Sequence, residues 1–129
     1  MQFMMIVKAN ADYEAGIPPS PALIERIGKL SEEMTKAGAL ISTGGLQPSA
    51  NGARLSYAGG KRTLTDGPFA EAKEVIGGYA IVEAASKAEA IALADRFAQA
   101  HVDAGVLDMD MEIRPMWSHP DGCAARPQA

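Results

Sequence analysis

The sequence predicts an α+β domain in which two helices cover one face of an antiparallel sheet and a β-hairpin is inserted. Three observations support this: two segments with helical apolar spacing, several short apolar or alternating segments, and the order β-α-β-(β-β)-β-α-β. Without the hairpin, this order is the ferredoxin-like arrangement. The predicted elements are a strand (residues 2–8), a loop (9–19), a helix (21–37), a strand (39–43), a loop (47–52), a hairpin (53–58 and 61–65), a strand (78–83), a helix (87–100) and a strand (107–114).

The first predicted strand is apolar on both faces. Phe3, Met5 and Val7 would point to one face of the sheet, and Met4 and Ile6 would point to the other. Two helices can cover only one of these faces, so a second copy of the chain is the simplest cover for the other. We therefore expect a homodimer in which two sheets pack face to face as a dimeric α/β barrel.

The first predicted helix has a defined start and end. Residues 9–19 contain Asn, Asp, Gly and Pro, which are typical of a loop. Ser20 is a suitable N-cap, Pro21 suits the first helical position, and Gly38 suits the left-handed residue that follows a helix. The strand predicted next, over residues 39–43, is followed by two glycines.

The second half of the chain begins with the hairpin. Gly59 and Gly60 separate its two strands as a two-residue turn. Ser86 and Glu89 have the spacing of a capping box, which predicts the start of the second helix. Residues 107–114 alternate apolar and charged residues at every step, which is the clearest strand pattern in the sequence.

The composition is that of one folded domain. Of the 129 residues, 47% are apolar and 22% are charged, which excludes intrinsic disorder. The formal charge of −4 argues against nucleic-acid binding, and a single cysteine excludes a disulfide scaffold. No apolar run approaches the ~20 residues of a membrane-spanning helix, and no signal peptide is recognised. We expect a cytoplasmic protein with no membrane partner, one domain over residues 1–117 and a flexible tail over residues 118–129.

The densest group of functional residue types lies in residues 65–74. An aspartate, an aromatic ring, two further acids and a lysine follow the predicted hairpin, which could form the wall of a pocket. An acid with a shifted pKa in such a cleft could transfer protons. The same Asp-Gly-Pro sequence is also ordinary turn chemistry, in which Asp66 bonds to nearby backbone. Both interpretations of Asp66 stay open.

Candidates elsewhere in the chain are fewer. His101 at the end of the second helix either meets the negative end of the helix dipole or acts as a general base or ligand. Asp108, Asp110 and Glu112 would lie on one strand face about 6.6–7 Å apart, which is wide for a single ion. No Cys/His spacing suggests zinc, and no phosphate-binding glycine motif is present. We therefore predict no metal and no cofactor.

The Asp-Gly-Pro segment and two other short segments together resemble the signature of a known family. Residues 66–71 (Asp-Gly-Pro-Phe-Ala-Glu), residues 77–79 (Gly-Gly-Tyr) and residues 59–63 (Gly-Gly-Lys-Arg-Thr) resemble the signature of the YCII-related family, in its DGPF-motif branch. The resemblance covers about residues 2–117 and implies a bacterial protein with a ferredoxin-like dimeric α/β barrel.

The resemblance implies less about function. Most members have no assigned activity, and many are associated in genomes with extracytoplasmic-function sigma factors, which implies a functional link to sigma-factor regulation. Members of the wider family have been proposed as enzymes because a His–Asp pair lines their pocket, and one branch is linked to dehydrochlorination of a hydroxylated aromatic ring. The first helix of this chain has no histidine, so that pair is not carried over.

Two functions follow as hypotheses. The first is a binding or regulatory domain with a small-molecule pocket. The alternative is a cofactor-independent lyase or isomerase that abstracts a proton from a small anionic or aromatic metabolite. Asp66 and His101 are the catalytic candidates of the second hypothesis. The ligand-binding candidates are Phe69, which would stack on the ligand, Lys73 or Arg114, which would pair with an anionic group, and the turn residues Gly67 and Pro68.

Overall fold

The computed structural model describes residues 1–70 and 75–117. Within them, a 3-10 turn, Ser49–Asn51, precedes the hairpin. The other elements are β1 (Gln2–Lys8), α1 (Ala11–Glu14), α2 (Pro21–Lys36), β2 (Leu40–Gly45), β3 (Ala53–Ala58), β4 (Lys61–Asp66), β5 (Ile76–Glu83), α3 (Lys87–Asp103) and β6 (Met111–Pro115).

The main sheet has four antiparallel strands in the order β2-β5-β1-β6. Strands β3 and β4 pair with each other as a separate two-stranded sheet. This is the predicted α+β class, and the order of the four sheet strands with α2 and α3 is the ferredoxin-like arrangement.

The hydrophobic core lies between one face of the sheet and the two long helices. Phe3 and Met5 of β1 and Val82 of β5 are almost completely buried there, as is Met34 of α2. The buried residues that complete this cluster are Leu30, Leu40, Ala80, Ala84, Ala90, Ala94 and Phe97. The prediction that both helices cover one face is therefore confirmed, and the methionines on that face are core residues.

The helix caps form as the sequence predicts. The Ser20 hydroxyl accepts from the N–H of Leu23 over 3.2 Å, and Ala37 ends α2 before Gly38, whose φ is 76°. These contacts satisfy backbone groups that have no partner inside the helix.

The capping box at the start of α3 differs from the usual geometry in one detail. The Ser86 hydroxyl accepts from the Glu89 N–H over 3.2 Å, but the Glu89 carboxylate accepts from the N–H of Ala85, over 3.3 Å. The carboxylate thus reaches one residue further back than the usual capping box.

The hairpin turn has the backbone conformation that two glycines favour. Gly59 and Gly60 have φ values of 58° and 79°, as a tight turn between right-twisted strands requires. All twelve residues of β3 and β4 are exposed, including Leu55 and Leu64, which are cross-strand partners. The hairpin therefore projects from the domain and contacts it at its base.

Several predicted ends shift by one to three residues, since β2 ends at Gly45, β5 begins at Ile76 and α3 ends at Asp103, and two segments were predicted wrongly. The segment predicted as a loop over residues 9–19 contains α1, whose first turn is capped by the Asn10 side chain on the N–H of Tyr13, over 2.8 Å. The last strand begins at Met111 and not at residue 107. Among the described residues its one partner strand is β1, which ends at Lys8, whose N–H donates to the carbonyl of Asp110, so residues before Asp110 have no described strand to pair with.

Two predictions concern residues beyond this description. The flexible tail over residues 118–129 and the ligand-binding assignment of Lys73 both lie outside the described residues. Among the residues that are described, no helix is long and apolar enough to cross a membrane.

Candidate functional site

The turn that follows β4 closes the base of the hairpin. Ala53 and Asp66 form the last pair of the hairpin ladder, and one residue further the N–H of Gly67 donates to the Gly52 carbonyl over 3.0 Å. The next peptide bond, between Gly67 and Pro68, is cis. The turn therefore starts directly where the hairpin ends, and its backbone stays attached to the hairpin base.

Glycine at position 67 is required by a close backbone approach. A Cβ added there would lie 1.7 Å from the Ser49 carbonyl oxygen and 2.6 Å from its carbon. Heavy atoms that are not bonded do not come this close, so any side chain would displace the turn from the 3-10 segment. The assignment of Gly67 to ligand binding stays a prediction, while its packing on Ser49 is observed.

A serine and a glutamate hold the turn in place. Ser49 is 6% exposed, and its hydroxyl accepts from the N–H of Phe69 over 3.1 Å while donating to a carboxylate oxygen of Glu14. The other oxygen of Glu14 accepts from the Ser49 N–H over 2.8 Å. One carboxylate on α1 is therefore connected through one hydroxyl to the backbone of the turn.

The pKa values of Tyr13 and Glu14, the last two residues of α1, are both shifted. The hydrogen bond from the Ser49 side chain, followed by that from its backbone, lowers the pKa of Glu14, because both favour the ionised carboxylate. Burial raises the pKa of the Tyr13 hydroxyl, which donates to the carbonyl of Gly77 at the start of β5 over 2.6 Å. Helix α1 thus connects the sheet to the turn through two neighbouring side chains.

A cleft of about 500 Å³ lies beside this turn. Most of its described lining is apolar, and Arg54 is the one charged residue in that lining. The cleft opens between the hairpin base, the segment after β2 and the start of β5. Its lining residues are Leu46, Gln47, Pro48, Ser49, Asn51, Gly52, Arg54, Phe69, Val75 and Ile76.

Arg54 and Phe69 form one wall of the cleft. The guanidinium carbon of Arg54 lies 4.2 Å from the centre of the Phe69 ring, which is a cation–π geometry. The backbone N–H of Phe69 is held by Ser49, which anchors this residue beside the arginine. The wall therefore combines an aromatic face with a positive charge.

The predicted site residues are distributed over three parts of the fold. Phe69 lines the cleft, and Gly67 and Pro68 form the turn beside it. Asp66 is exposed at the end of β4, whereas His101 lies in the last turn of α3 with Nδ1 2.8 Å from the Phe97 carbonyl oxygen. Among the described residues, no hydrogen bond or ion pair joins these two catalytic candidates.

Arg114 lies on the opposite edge of the sheet from the cleft. Its strand, β6, is separated from β2 by β1 and β5, and its Nε is 3.5 Å from a carboxylate oxygen of Glu112. An anionic group bound in the cleft beside Phe69 would therefore meet Arg54 rather than Arg114. The assignment of Arg114 to ligand binding stays a prediction, and it would require a ligand bound near β6.

A second groove lies between α2 and α3, with a volume of about 350 Å³. Four of its charged side chains pair across it, Arg26 with Asp103 at 3.8 Å and Arg96 with Glu33 at 3.1 Å. These pairs are exposed, so they add little stability, but they occupy the groove with satisfied charges. In the described part of the chain, no three His, Cys, Asp or Glu side chains are grouped as metal ligands.

Four residues that line the cleft or hold its surroundings were not predicted as site residues. Tyr13 and Glu14 were assigned to a loop, Ser49 was in a predicted loop, and Arg54 was one charge on a hairpin strand. The Asn10 cap was a local signal for α1, because Asn favours the N-cap position. Nothing local indicated Ser49 or Arg54, since their contacts with Glu14 and Phe69 join segments distant in sequence.

Together, the sheet, its two covering helices and the hairpin with a cleft at its base define a small α+β domain of ferredoxin-like arrangement. The family follows from comparison with known proteins. A model of the YCII-related domain matches residues 1–113, and the chain belongs to that family. An uncharacterized protein of Rhizobium meliloti (strain 1021) is 29% identical over 96 residues, which are 74% of each chain.

Proposed function

We propose that this domain binds a small molecule in the cleft beside the turn at residues 66–69 and serves a binding or regulatory role. The cleft itself is the observation that supports the proposal. Its volume of about 500 Å³ falls in the range of ligand sites, and it combines an apolar lining with few polar groups.

The hydrogen bonds around the turn further support the proposal. Phe69 is held by Ser49, Ser49 by Glu14, and Gly67 by the hairpin base. A site whose walls are held before the ligand arrives loses less entropy on binding. The turn is therefore suited to present Phe69 to a ligand.

The proposal is tested by NMR titration of the 15N-labelled protein with a panel of small aromatic and anionic metabolites. We expect a binder to shift the amide signals of cleft residues such as Leu46 and Ile76. Phe69→Ala should weaken that binding. Tyr57→Ala, which removes an exposed aromatic ring from the adjacent hairpin strand β3, should not. Shifts that lie elsewhere in the domain, or a panel without any binder, would argue against the cleft as a ligand site.

The catalytic pairing of Asp66 and His101 stays a prediction. If Asp66 is an acid/base catalyst, Asp66→Asn should leave a folded protein that binds its ligand without turning it over. If Asp66 serves the turn instead, the same variant should lower the free energy of unfolding by about 1 kcal/mol, as the loss of a local cap does. The link to sigma-factor regulation likewise stays a prediction.

We also propose that two copies of the chain pack through the sheet face that α2 and α3 leave uncovered. Met4, Tyr79 and Ile81 are half-buried on this face, beside Ile6, and they are cross-strand neighbours in β1 and β5. An apolar patch of this kind on an antiparallel sheet favours a two-fold contact.

Sedimentation equilibrium at micromolar concentration tests the homodimer. The expected mass is twice the 13.5 kDa of one chain. Ile81→Asp should shift the protein to one chain, whereas Ile24→Asp, at an exposed position on α2, should not. A wild-type protein that sediments as a single chain would refute the proposal.

A further inference from the structure

We propose that Arg54 is the anion-binding residue of this cleft and that the ligand is a small carboxylate with an apolar body. This inference rests on the proposed ligand site and specifies its chemistry. Arg54 thereby takes the role of pairing with an anionic group of the ligand, which the sequence predicts for Lys73 or Arg114.

The position of Arg54 is the first step. Its guanidinium carbon is 4.2 Å from the centre of the Phe69 ring, and both residues line the cleft. A guanidinium stacked through its face keeps its N–H donors along its edge, where they can form two parallel hydrogen bonds to a carboxylate. Because the ring already orients the arginine, less side-chain entropy is lost when an anion binds.

The rest of the described lining carries no further charged side chain. Among the described lining residues, Ser49 is already engaged by Glu14 and Phe69, and the Asn51 amide donates to the Gln47 side chain over 3.0 Å. The other walls are largely aliphatic. A ligand that fits this lining has one anionic group beside Arg54 and an apolar remainder.

A carboxylate suits this arrangement better than a phosphate. One arginine satisfies the two oxygens of a carboxylate in a bidentate contact. A phosphate brings a higher charge and three acceptor oxygens, which in proteins are met by several cations or by a row of backbone N–H groups. The described lining supplies one cation, so the charge and the number of donors both fit a monoanion.

The test compares matched carboxylates and neutral amides by NMR titration at constant ionic strength. The pairs are benzoate with benzamide, phenylacetate with phenylacetamide, and hexanoate with hexanamide, and inorganic phosphate is a separate probe. We expect at least one carboxylate to shift the amides of Leu46, Phe69 and Ile76 with a Kd about tenfold or more below that of its amide, the factor for a charge-assisted hydrogen bond. Phosphate should not produce this pattern.

Substitutions then assign the effect to Arg54. Arg54→Met keeps much of the aliphatic stem and should raise the carboxylate Kd to that of the amide, while Arg54→Lys, which keeps the charge but not the planar fork, should fall between. Arg62→Met removes a positive charge from the other hairpin strand and should leave the Kd unchanged. Equal effects of Arg54→Met and Arg62→Met would reduce the role of Arg54 to long-range charge and overturn the inference.

Failure of this inference differs from failure of the ligand site. If amides and carboxylates shift the cleft signals with equal Kd, or if phosphate binds best, the carboxylate inference is wrong and the ligand site stands. If no probe shifts the cleft signals, both are refuted. Should Arg54→Met perturb folding, the pH dependence of the wild type decides, because carboxylate binding must weaken as the ligand is protonated and amide binding must not.

Discussion

Replacing Ser49 by alanine should weaken the attachment of the turn to the 3-10 segment. The hydroxyl of Ser49 is the acceptor for the Phe69 N–H at 3.1 Å, and the residue is 6% exposed. Without it, that part-buried N–H loses its partner, which costs about 1–3 kcal/mol. Water can replace the bond to Glu14, so the Phe69 amide dominates the loss. We expect the free energy of unfolding to fall by about 1–2 kcal/mol.

Two measurements check this expectation. Urea denaturation gives the global change in the free energy of unfolding. Hydrogen exchange at the Phe69 amide gives the local change, because its exchange rate should rise about tenfold for each 1.4 kcal/mol lost. Ser56→Ala, at an exposed position on β3, is the matched control. If Ser49→Ala changes neither quantity more than Ser56→Ala does, the assigned role of the hydroxyl is wrong.

Three further changes probe the same region. The pKa of Glu14 is lowered in the folded state, so the carboxylate stabilises the fold fully above its ordinary pKa of 4.5. This stabilisation is lost as the pH falls through the lower folded pKa. Glu14→Gln should therefore flatten this part of an acid titration followed by circular dichroism. Gly67→Ala should lower the free energy of unfolding by at least about 2 kcal/mol in urea, because the added Cβ would lie 1.7 Å from the Ser49 carbonyl oxygen and the backbone must move by more than about 1 Å to relieve this clash. Tyr13→Phe removes the bond to Gly77 and should cost about 1 kcal/mol in the same assay.

Each of these variants has a matched control in the chain. Glu25→Gln and Tyr57→Phe alter exposed side chains, and Gly45→Ala adds a methyl group that meets no atom within 4 Å in the described part of the chain. A Gly45→Ala loss as large as that of Gly67→Ala would show that the overlap with Ser49 is not the cause. Acid curves of the same shape for Glu14→Gln and the wild type would contradict the role given to that carboxylate.

The prediction of the fold succeeded where local patterns and burial agree. The helix start at Ser20 and Pro21 and the turn at Gly59 and Gly60 depend on neighbours in sequence, and each has the expected geometry. The apolar run of β1 required burial whatever its partners were. The alternation before Met111 misled because a strand also needs a partner, and β1 ends at Lys8.

The contacts around the cleft were predicted less completely than the fold, for a related reason. The turn at residues 66–69 was identifiable because its residue types are unusual and close together. Helix α1 is only one turn long, and a helix of that length is not stable by its own propensity. It is held by the contacts of Tyr13 and Glu14 with distant backbone, which no local pattern contains.

By itself, the sequence determined the α+β class, the order of the main elements, the hairpin and the position of the turn at residues 66–69, because caps, turns and apolar periodicity are local properties. Only the tertiary structure decided that α1 connects the turn to the sheet, that Gly67 packs against Ser49, and that Arg54 stacks on Phe69. These contacts join residues that lie between 15 positions apart (Arg54 and Phe69) and 64 positions apart (Tyr13 and Gly77) in the chain. The cleft exists only where the chain brings such positions together, which is why its shape and its charge could not be read from neighbouring residues.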